Sequence, residues 1–243
     1  MKIALQLYSI KNISEEKGLC AALDKAKELG YEGVEFAGLF GLTPAEAKAE
    51  LDKRGLLCAG FHEGFGGNVA ENPEKAIEMC RVCGADSLCI PHYSSDSAEG
   101  WEAFGKSMNE IGKKFRAAGI LFGYHNHRHE FEPLPDGRLP MDLILENCEP
   151  ENVFFECDTR HAVIAGVKPE EYLEKYAARV PVLHARDTDG TDDCAVGAGL
   201  VDFPAVMDVT GVPAWFVVEN ENFGTNEKQL ADSVVYLKTT FGK

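Results

Sequence analysis

No run of about eighteen consecutive apolar residues occurs in the chain, so the sequence offers no transmembrane helix. Its opening residues, MKIALQLYSIKN, lack the basic start, long apolar centre and small-residue cleavage site of a secretory signal, and the expectation is a cytoplasmic protein. Basic residues are scarce: 24 Lys and Arg stand against 40 Asp and Glu, a formal net charge of −16. Such a surface repels phosphodiester backbones and argues against a nucleic-acid partner. No GxGxxG follows the first strand-like run, which removes the main signature of a dinucleotide-binding open sheet. No second CxxC answers Cys80 and Cys83, which end a helical pattern, and Cys58, Cys89 and Cys157 sit in apolar runs as small hydrophobes. A zinc knuckle or redox pair is therefore disfavoured, and cytoplasmic conditions would keep the thiols reduced.

What the sequence does contain is a regular alternation. At 243 residues and 45% hydrophobic content the chain can bury one large core, and a single domain over 1–243 is expected. Short apolar runs at 3–9, 33–38, 56–64, 87–93, 121–127, 153–159, 181–187 and 215–222 read as strands. Amphipathic stretches separate them. Ser14 is placed to cap the first helix, Thr43-Pro44-Ala45-Glu46 is a capping box, and Asn72-Pro73 opens another helix that stops at Gly84. Further helices are expected to about Ala118, to Cys148, over 169–178, from Phe203 and from Asn226 to Phe241, with the polar loop 187–199 the longest irregular piece. Strands alternating with helices imply a parallel sheet with right-handed crossovers, and eight such units predict an α/β fold, the closed (β/α)8 TIM barrel.

The stretch Leu121 to Phe131, LFGYHNHRHEF, organises the rest. Period-two alternation places His125 and His127 on one face of the fifth strand, and Glu130, just beyond, can swing back over the same opening. Of the seven histidines, His62 and His92 end strands three and four, and His125, His127 and His129 end strand five. His161 follows strand six and His184 lies in strand seven, so none falls in a predicted helix. Glu35 on strand two, Glu156 and Asp158 on strand six, and Glu219 and Glu221 on strand eight join them. A barrel gathers such residues at the C-terminal mouth. Mixed histidine and carboxylate groups suit Mn²⁺, Zn²⁺, Co²⁺ or Mg²⁺, and Glu130 or a neighbouring histidine, Asp158, His184 and Glu219 are the candidate ligands. An ionised Glu219 directly after WFVV is costly to bury unless paired or metal-bound.

In their order, YHNHRHEF, ECDTRHAVIAG, VLHARDTDG, VGAGLVDF and VVENEN resemble the sugar phosphate isomerase/epimerase family of xylose isomerase-like TIM barrels. LQLYS and GYEGVEFAG near the start extend the resemblance over nearly the whole chain. It implies a divalent metal held by Glu130, Asp158, His184 and Glu219, with His127 and His125 as acid/base groups beside it. In related ketose 3-epimerases Glu219 would double as the strand-eight acid/base. His161 matches a substrate-contacting position, and Arg186 stands where a lysine is frequent. His62, His92 and Glu35 complete the expected substrate contacts. The implied chemistry is proton abstraction next to a carbonyl, giving isomerisation or epimerisation of a sugar or sugar phosphate. The histidine-rich fifth strand keeps open a lyase outcome, a 3-keto-glycoside elimination or a dehydration. A non-catalytic sugar-binding barrel is the competing class. Arg128, Arg160 and Arg186 suit a phosphate or, equally, surface ion pairs. The expected partner is a small carbohydrate, and assembly into a homo-oligomer is left open.

Overall fold

The computed structural model describes residues 1–242. Runs such as FFECD and WFVV are buried at every position, as a parallel strand requires when helices cover one face and side chains plug the other. Eight strands result: β1 Lys2–Gln6, β2 Gly33–Phe36, β3 Leu57–His62, β4 Ser87–Ile90, β5 Leu121–His125, β6 Phe154–Asp158, β7 Val182–Ala185 and β8 Trp215–Val218. They close in the order β1-β8-β7-β6-β5-β4-β3-β2, all neighbours parallel, which is the (β/α)8 barrel. The capping box at Thr43 forms as its sequence predicts, and Gly55 ends that helix at φ +61°.

Several boundaries differ from the sequence reading. Ser14 is buried inside a helix that starts at Lys11, and Gly18, at φ +84°, separates it from Leu19–Glu28. The helix after Lys168 runs only from Pro169 to Leu173. His161 lies in a short helix, Thr159–Ile164, and His129 and Glu130 lie in a single 3₁₀ turn. The loop after β7 is not irregular throughout. Asp187–Thr188 and Asp193–Cys194 pair as a small antiparallel hairpin. The Asp187 carboxylate gathers the rest, accepting N–H groups from Thr188, Gly197, Gly199 and Val201 at 2.8–3.1 Å.

Period-two alternation explains why the barrel interior changes character along its axis. Its lower part is apolar, with Ala4, Phe154, Val182 and Val217 in one buried cluster with Trp215. Two residues further along the same strands stand Gln6, Glu156, His184 and Glu219, all buried. Thus each of these four strands carries carbon inward at its start and a polar group inward at its end. Two glycines make room for the plug. A Cβ on Gly33 would stand 2.8 Å from the Trp215 ring, and one on Gly123 would stand 2.6 Å from the Phe154 ring. Gly123→Ala is therefore expected to overpack the barrel and lower unfolding free energy by about 1–3 kcal/mol, measured by chemical denaturation.

Candidate metal centre

Two tiers of polar side chains occupy the C-terminal end of the barrel. In the lower tier, His62 Nε2 lies 2.7 Å from Glu156 Oε2 and 3.0 Å from Glu35 Oε2. His184 Nε2 lies 2.8 Å from the same Glu35 oxygen, to which Gln6 Nε2 also donates at 2.7 Å. Burial opposes ionisation of Glu35, but His62 and His184 outweigh it and hold its pKa down. Glu156 goes the other way, raised by burial and by the charge of Glu35. The two imidazoles are stabilised as cations by these carboxylates: against burial, His62 is raised to about 10 and His184 well above its ordinary value.

The upper tier faces a cavity of about 480 Å³, whose lining includes Tyr8, His62, His125, His127, His161 and Glu219. Ligand-type atoms of His125, Asp158, His184 and Glu219 all fall within 4.8 Å of one another. A second group within the same span, His62, His125, Glu156 and His184, shares two of its members. The upper group is the better fit for an ion. It offers two carboxylates, with Asp158 Oδ2 buried and unpartnered, whereas the lower group offers one, Glu156, whose Oε1 is also unpartnered but whose Oε2 is engaged by His62. Two carboxylates and two imidazoles are donors that suit zinc and its neighbours.

Local sequence explains how Asp158 is aimed. Its Oδ1 caps the following helix by accepting the His161 N–H at 2.8 Å, which leaves Oδ2 free. Asn126, the middle residue of HNH, clamps the Asp158 backbone: its Oδ1 accepts the Asp158 N–H at 2.9 Å and its Nδ2 donates to the Asp158 carbonyl at 3.3 Å. Burial raises the Asp158 pKa to about 7, with Arg186 opposing. Burial also opposes the Glu219 charge, but a hydrogen bond from His184 and the Arg186 cation carry its pKa down to about 2. Arg186 is itself anchored, Nε and Nη2 each 2.9 Å from Asp193 and Nη1 2.9 Å from Glu221.

Above the upper group stand His127 and His161, ring centroids 4.8 Å apart, each with a buried Nδ1 that has no hydrogen-bond partner. Burial lowers His127 to about 4, and burial with the Arg186 charge lowers His161 to about 2, so both are neutral near pH 7. Burial and the neighbouring histidines also push His125 well below its ordinary value, leaving it neutral as a ligand must be.

Several expected residues stand elsewhere. Glu130 joins neither group: its Oε1 accepts from Tyr124 Oη at 2.5 Å and its Oε2 from the His127 N–H at 2.7 Å. The strand-five member of both groups is His125, because β5 ends there and the chain then turns Glu130 back toward Tyr124. Glu35 lies beneath the cavity, wholly buried among Gln6, His62 and His184, and is out of reach of a substrate. His92 stands at the rim, its ring 5.7 Å from that of His127 and 5.0 Å from that of His129. Arg186 lies behind Asp158 and Glu219, 3.8 Å from each, with its guanidinium hydrogen bonds directed to Asp193, Glu221 and, at 3.4 Å, His161 Nε2. Sequence reading gathered Glu156 with the other acids at the barrel mouth but gave it no role, although its position two residues before Asp158 puts it on the same face. It also missed Asp193, which no local pattern marks.

Two results follow from this geometry. Glu130→Gln is expected to keep its metal content, measured by elemental analysis, while losing about 1–3 kcal/mol of stability, because an amide N–H₂ replaces one acceptor. Metal affinity should fall as pH drops. Asp158 is protonated below about 7 and His184 holds its proton higher still, so binding an ion must expel protons. Chelator competition at two pH values should show about a tenfold loss per pH unit for each proton displaced.

Comparison with known proteins gives a consistent frame. The family model for xylose isomerase-like TIM barrels matches residues 23–240. An inosose dehydratase of Lacticaseibacillus casei is 22% identical over 82% of this chain and 81% of its own length. The rhizopine catabolism protein MocC of Rhizobium meliloti is 23% identical, covering 82% and 73%. Among solved structures, a sugar phosphate isomerase/epimerase from Parabacteroides distasonis superposes with a TM-score of 0.85 at 23% identity, covering 99% of this chain and 94% of that one. The IOLI protein with a binding zinc atom gives a TM-score of 0.75 at 14% identity, covering 100% of both chains. No helix among the described residues is long and apolar enough to cross a membrane.

Proposed function

This chain belongs to the xylose isomerase-like TIM barrel family, and from that premise we propose that it is a divalent-metal-dependent enzyme that removes a proton next to a carbonyl of a small carbohydrate. The observation that carries the reading is the upper group, four ligand-type atoms within 4.8 Å of one another, beside a cavity whose lining includes two neutral histidines on one wall. His125, Asp158, His184 and Glu219 would hold the ion. A bound divalent ion supplies Lewis acidity to a carbonyl oxygen and so favours loss of the adjacent proton.

His127, whose side chain lines the cavity and is held neutral, accepts that proton, and the neighbouring His161 ring confines the substrate to the same side. The wall across the barrel differs. There the cavity is bordered by Tyr8, after β1, and Ala37, after β2, and Tyr8 Oη is held by Lys11 Nζ at 2.7 Å. Of the other ionisable groups in the cavity lining, His62 is engaged by Glu35 and Glu156, Glu219 by His184 and Glu221 by Arg186. Reprotonation of the opposite face of a carbon, as epimerisation demands, would therefore fall to the Tyr8 hydroxyl, and the neutral bases stand on one side. One-sided placement favours elimination. The C–H electron pair becomes a C=C bond, the bond to a substituent one carbon further on breaks with its electron pair, and the leaving oxygen takes its proton from His127. The relatives bearing a dehydratase name support this outcome. Return of the proton to the neighbouring carbon on that same side gives aldose–ketose isomerisation, the second reading that the same placement favours.

An NMR time course of the metal-loaded protein in D₂O with ketoses, their phosphates and 3-keto-glucosides tests the reading. Release of water or an aglycone supports elimination, and deuterium incorporation with otherwise conserved mass supports isomerisation. No exchange in any of them, with no metal retained, sinks the enzyme reading in favour of a sugar-binding barrel.

A further inference from the structure

At the cavity rim, two aromatic side chains are ordered yet left open to solvent. Tyr8, in the 3₁₀ turn after β1, is 39% exposed, and Phe223, in the loop after β8, is 37% exposed. The two strands are neighbours in the barrel, and the rings meet edge to face with centroids 5.7 Å apart. Lys11 braces both: its Nζ lies 4.0 Å from the Tyr8 centroid and 4.3 Å from that of Phe223. Single exposed hydrophobics are ordinary. A braced pair, one member of which borders the reaction cavity, calls for an occupant.

The pair is also fixed in register with the proposed metal ligands. Gln6 Oε1 accepts the Tyr8 N–H at 3.1 Å while its Nε2 donates to Glu35 Oε2, which in turn holds His184. On the other side, Asp193 accepts the Glu221 N–H and the Asn222 side-chain amide at 2.7 Å, and the Phe223 N–H closes onto the Glu221 carbonyl. Asp193 is the same residue that anchors Arg186. The rim and the centre therefore share their supports, so a ligand group seated at one is placed relative to the other without an ordering cost.

We propose that Tyr8 and Phe223 form a stacking subsite for a second ring of the substrate, so that the enzyme acts on a glycoside or disaccharide-like compound rather than a free monosaccharide. This rests on the functional reading above for the identity of the first ring. Aromatic faces are electron-rich, and the C–H edges of a pyranose or the face of an aryl group pack well against them. The rim residues stand outside the polar ring: Glu219 is only 6% exposed where Phe223 is 37%. A ring lying against Tyr8 and Phe223 is consequently not the one whose carbon reacts. It is the part that leaves, or the part that remains attached beyond it.

Saturation-transfer NMR with the metal-loaded full chain tests the subsite independently of turnover. The probes are methyl glucoside, 4-nitrophenyl glucoside and cellobiose, with glucose 6-phosphate as the charged alternative. The two-ring probes should bind about tenfold more tightly than methyl glucoside, with the strongest transfer to the second ring. In Tyr8→Ala and Phe223→Ala that ratio should collapse toward one, whereas Tyr8→Phe, which keeps the ring, should preserve it. Circular dichroism and metal content confirm that each variant is folded.

Equal affinity for one-ring and two-ring probes in the wild type overturns the proposal. So does a preference that survives both alanine variants. Tight binding of the phosphate alone, lost in Lys11→Ala, overturns it in favour of an anion site. A dimer that Tyr8→Ala converts to monomer with no change in ring preference overturns it in favour of a self-association face. If the two-ring preference is found but no keto-substrate turns over, the subsite stands and the catalytic reading fails. Turnover without the preference means the reverse: the catalytic reading stands and the subsite fails.

Discussion

Asp158→Ala is expected to abolish stoichiometric metal binding and to lower turnover by about 10³-fold or more. The Lewis acidity of an ion is worth several kcal/mol to a developing enolate, and each 1.4 kcal/mol is about a factor of ten in rate. The fold should survive. Asp158 also caps the helix Thr159–Ile164 through Oδ1, and losing such a cap costs about 1 kcal/mol. Asp158→Asn separates the two roles, since its amide oxygen still accepts the His161 N–H. It should unfold like the wild type and still be nearly as inactive as the alanine variant. Turnover, elemental analysis and thermal unfolding together measure this. If Asp158→Asn retains full metal content and activity, the upper group is not the metal centre. In the wild type, saturation with metal at about 100 times its Kd adds about 2.7 kcal/mol of stability, an expected rise in Tm of about 5–10 °C.

His127→Gln is expected to lower kcat by about 10²- to 10⁴-fold, the range for loss of a general base, while leaving metal content and unfolding temperature unchanged. His127 belongs to neither candidate ligand group, and its backbone N–H, which binds Glu130, is kept by the variant. The pH profile gives a second readout. A base must be neutral, so activity through His127 is lost as pH falls through about 4. Metal is lost earlier, as Asp158 takes up its proton near 7. The acid limb of the wild type should therefore follow metal occupancy, and saturating metal should push it to lower pH. A variant that loses kcat and metal together would place His127 among the ligands instead.

Much of this was legible in the sequence. The eight apolar runs became the eight strands, because residues buried on both faces leave a strong and local signal. The HNH run was recognisable as a functional segment, but its geometry was not. β5 stops at His125, so His127 leaves the strand, and Glu130 turns back to satisfy Tyr124 and the His127 N–H. Nothing in the spacing of Glu130 separates a ligand from a partner for a buried phenol. Depth along the barrel was likewise invisible. Glu35, inside the run GVEFAG, and Glu219, directly after WFVV, both stand against apolar strand residues, yet Glu35 is sealed beneath the cavity and Glu219 borders it. Asp193 escaped notice because it acts across the fold, on Arg186, Arg160 and the loop carrying Glu221. Long-range pairings of this kind have no periodicity to reveal them.

Anomalous diffraction from crystals of the zinc-loaded protein, recorded at the zinc absorption edge, tests the metal centre most directly. The expected result is one strong peak among His125, Asp158, His184 and Glu219, at the floor of the cavity that His127 and His161 overlook. A peak at Glu130, a peak among His62, His125, Glu156 and His184 alone, or no ordered zinc at saturating concentration would contradict that assignment.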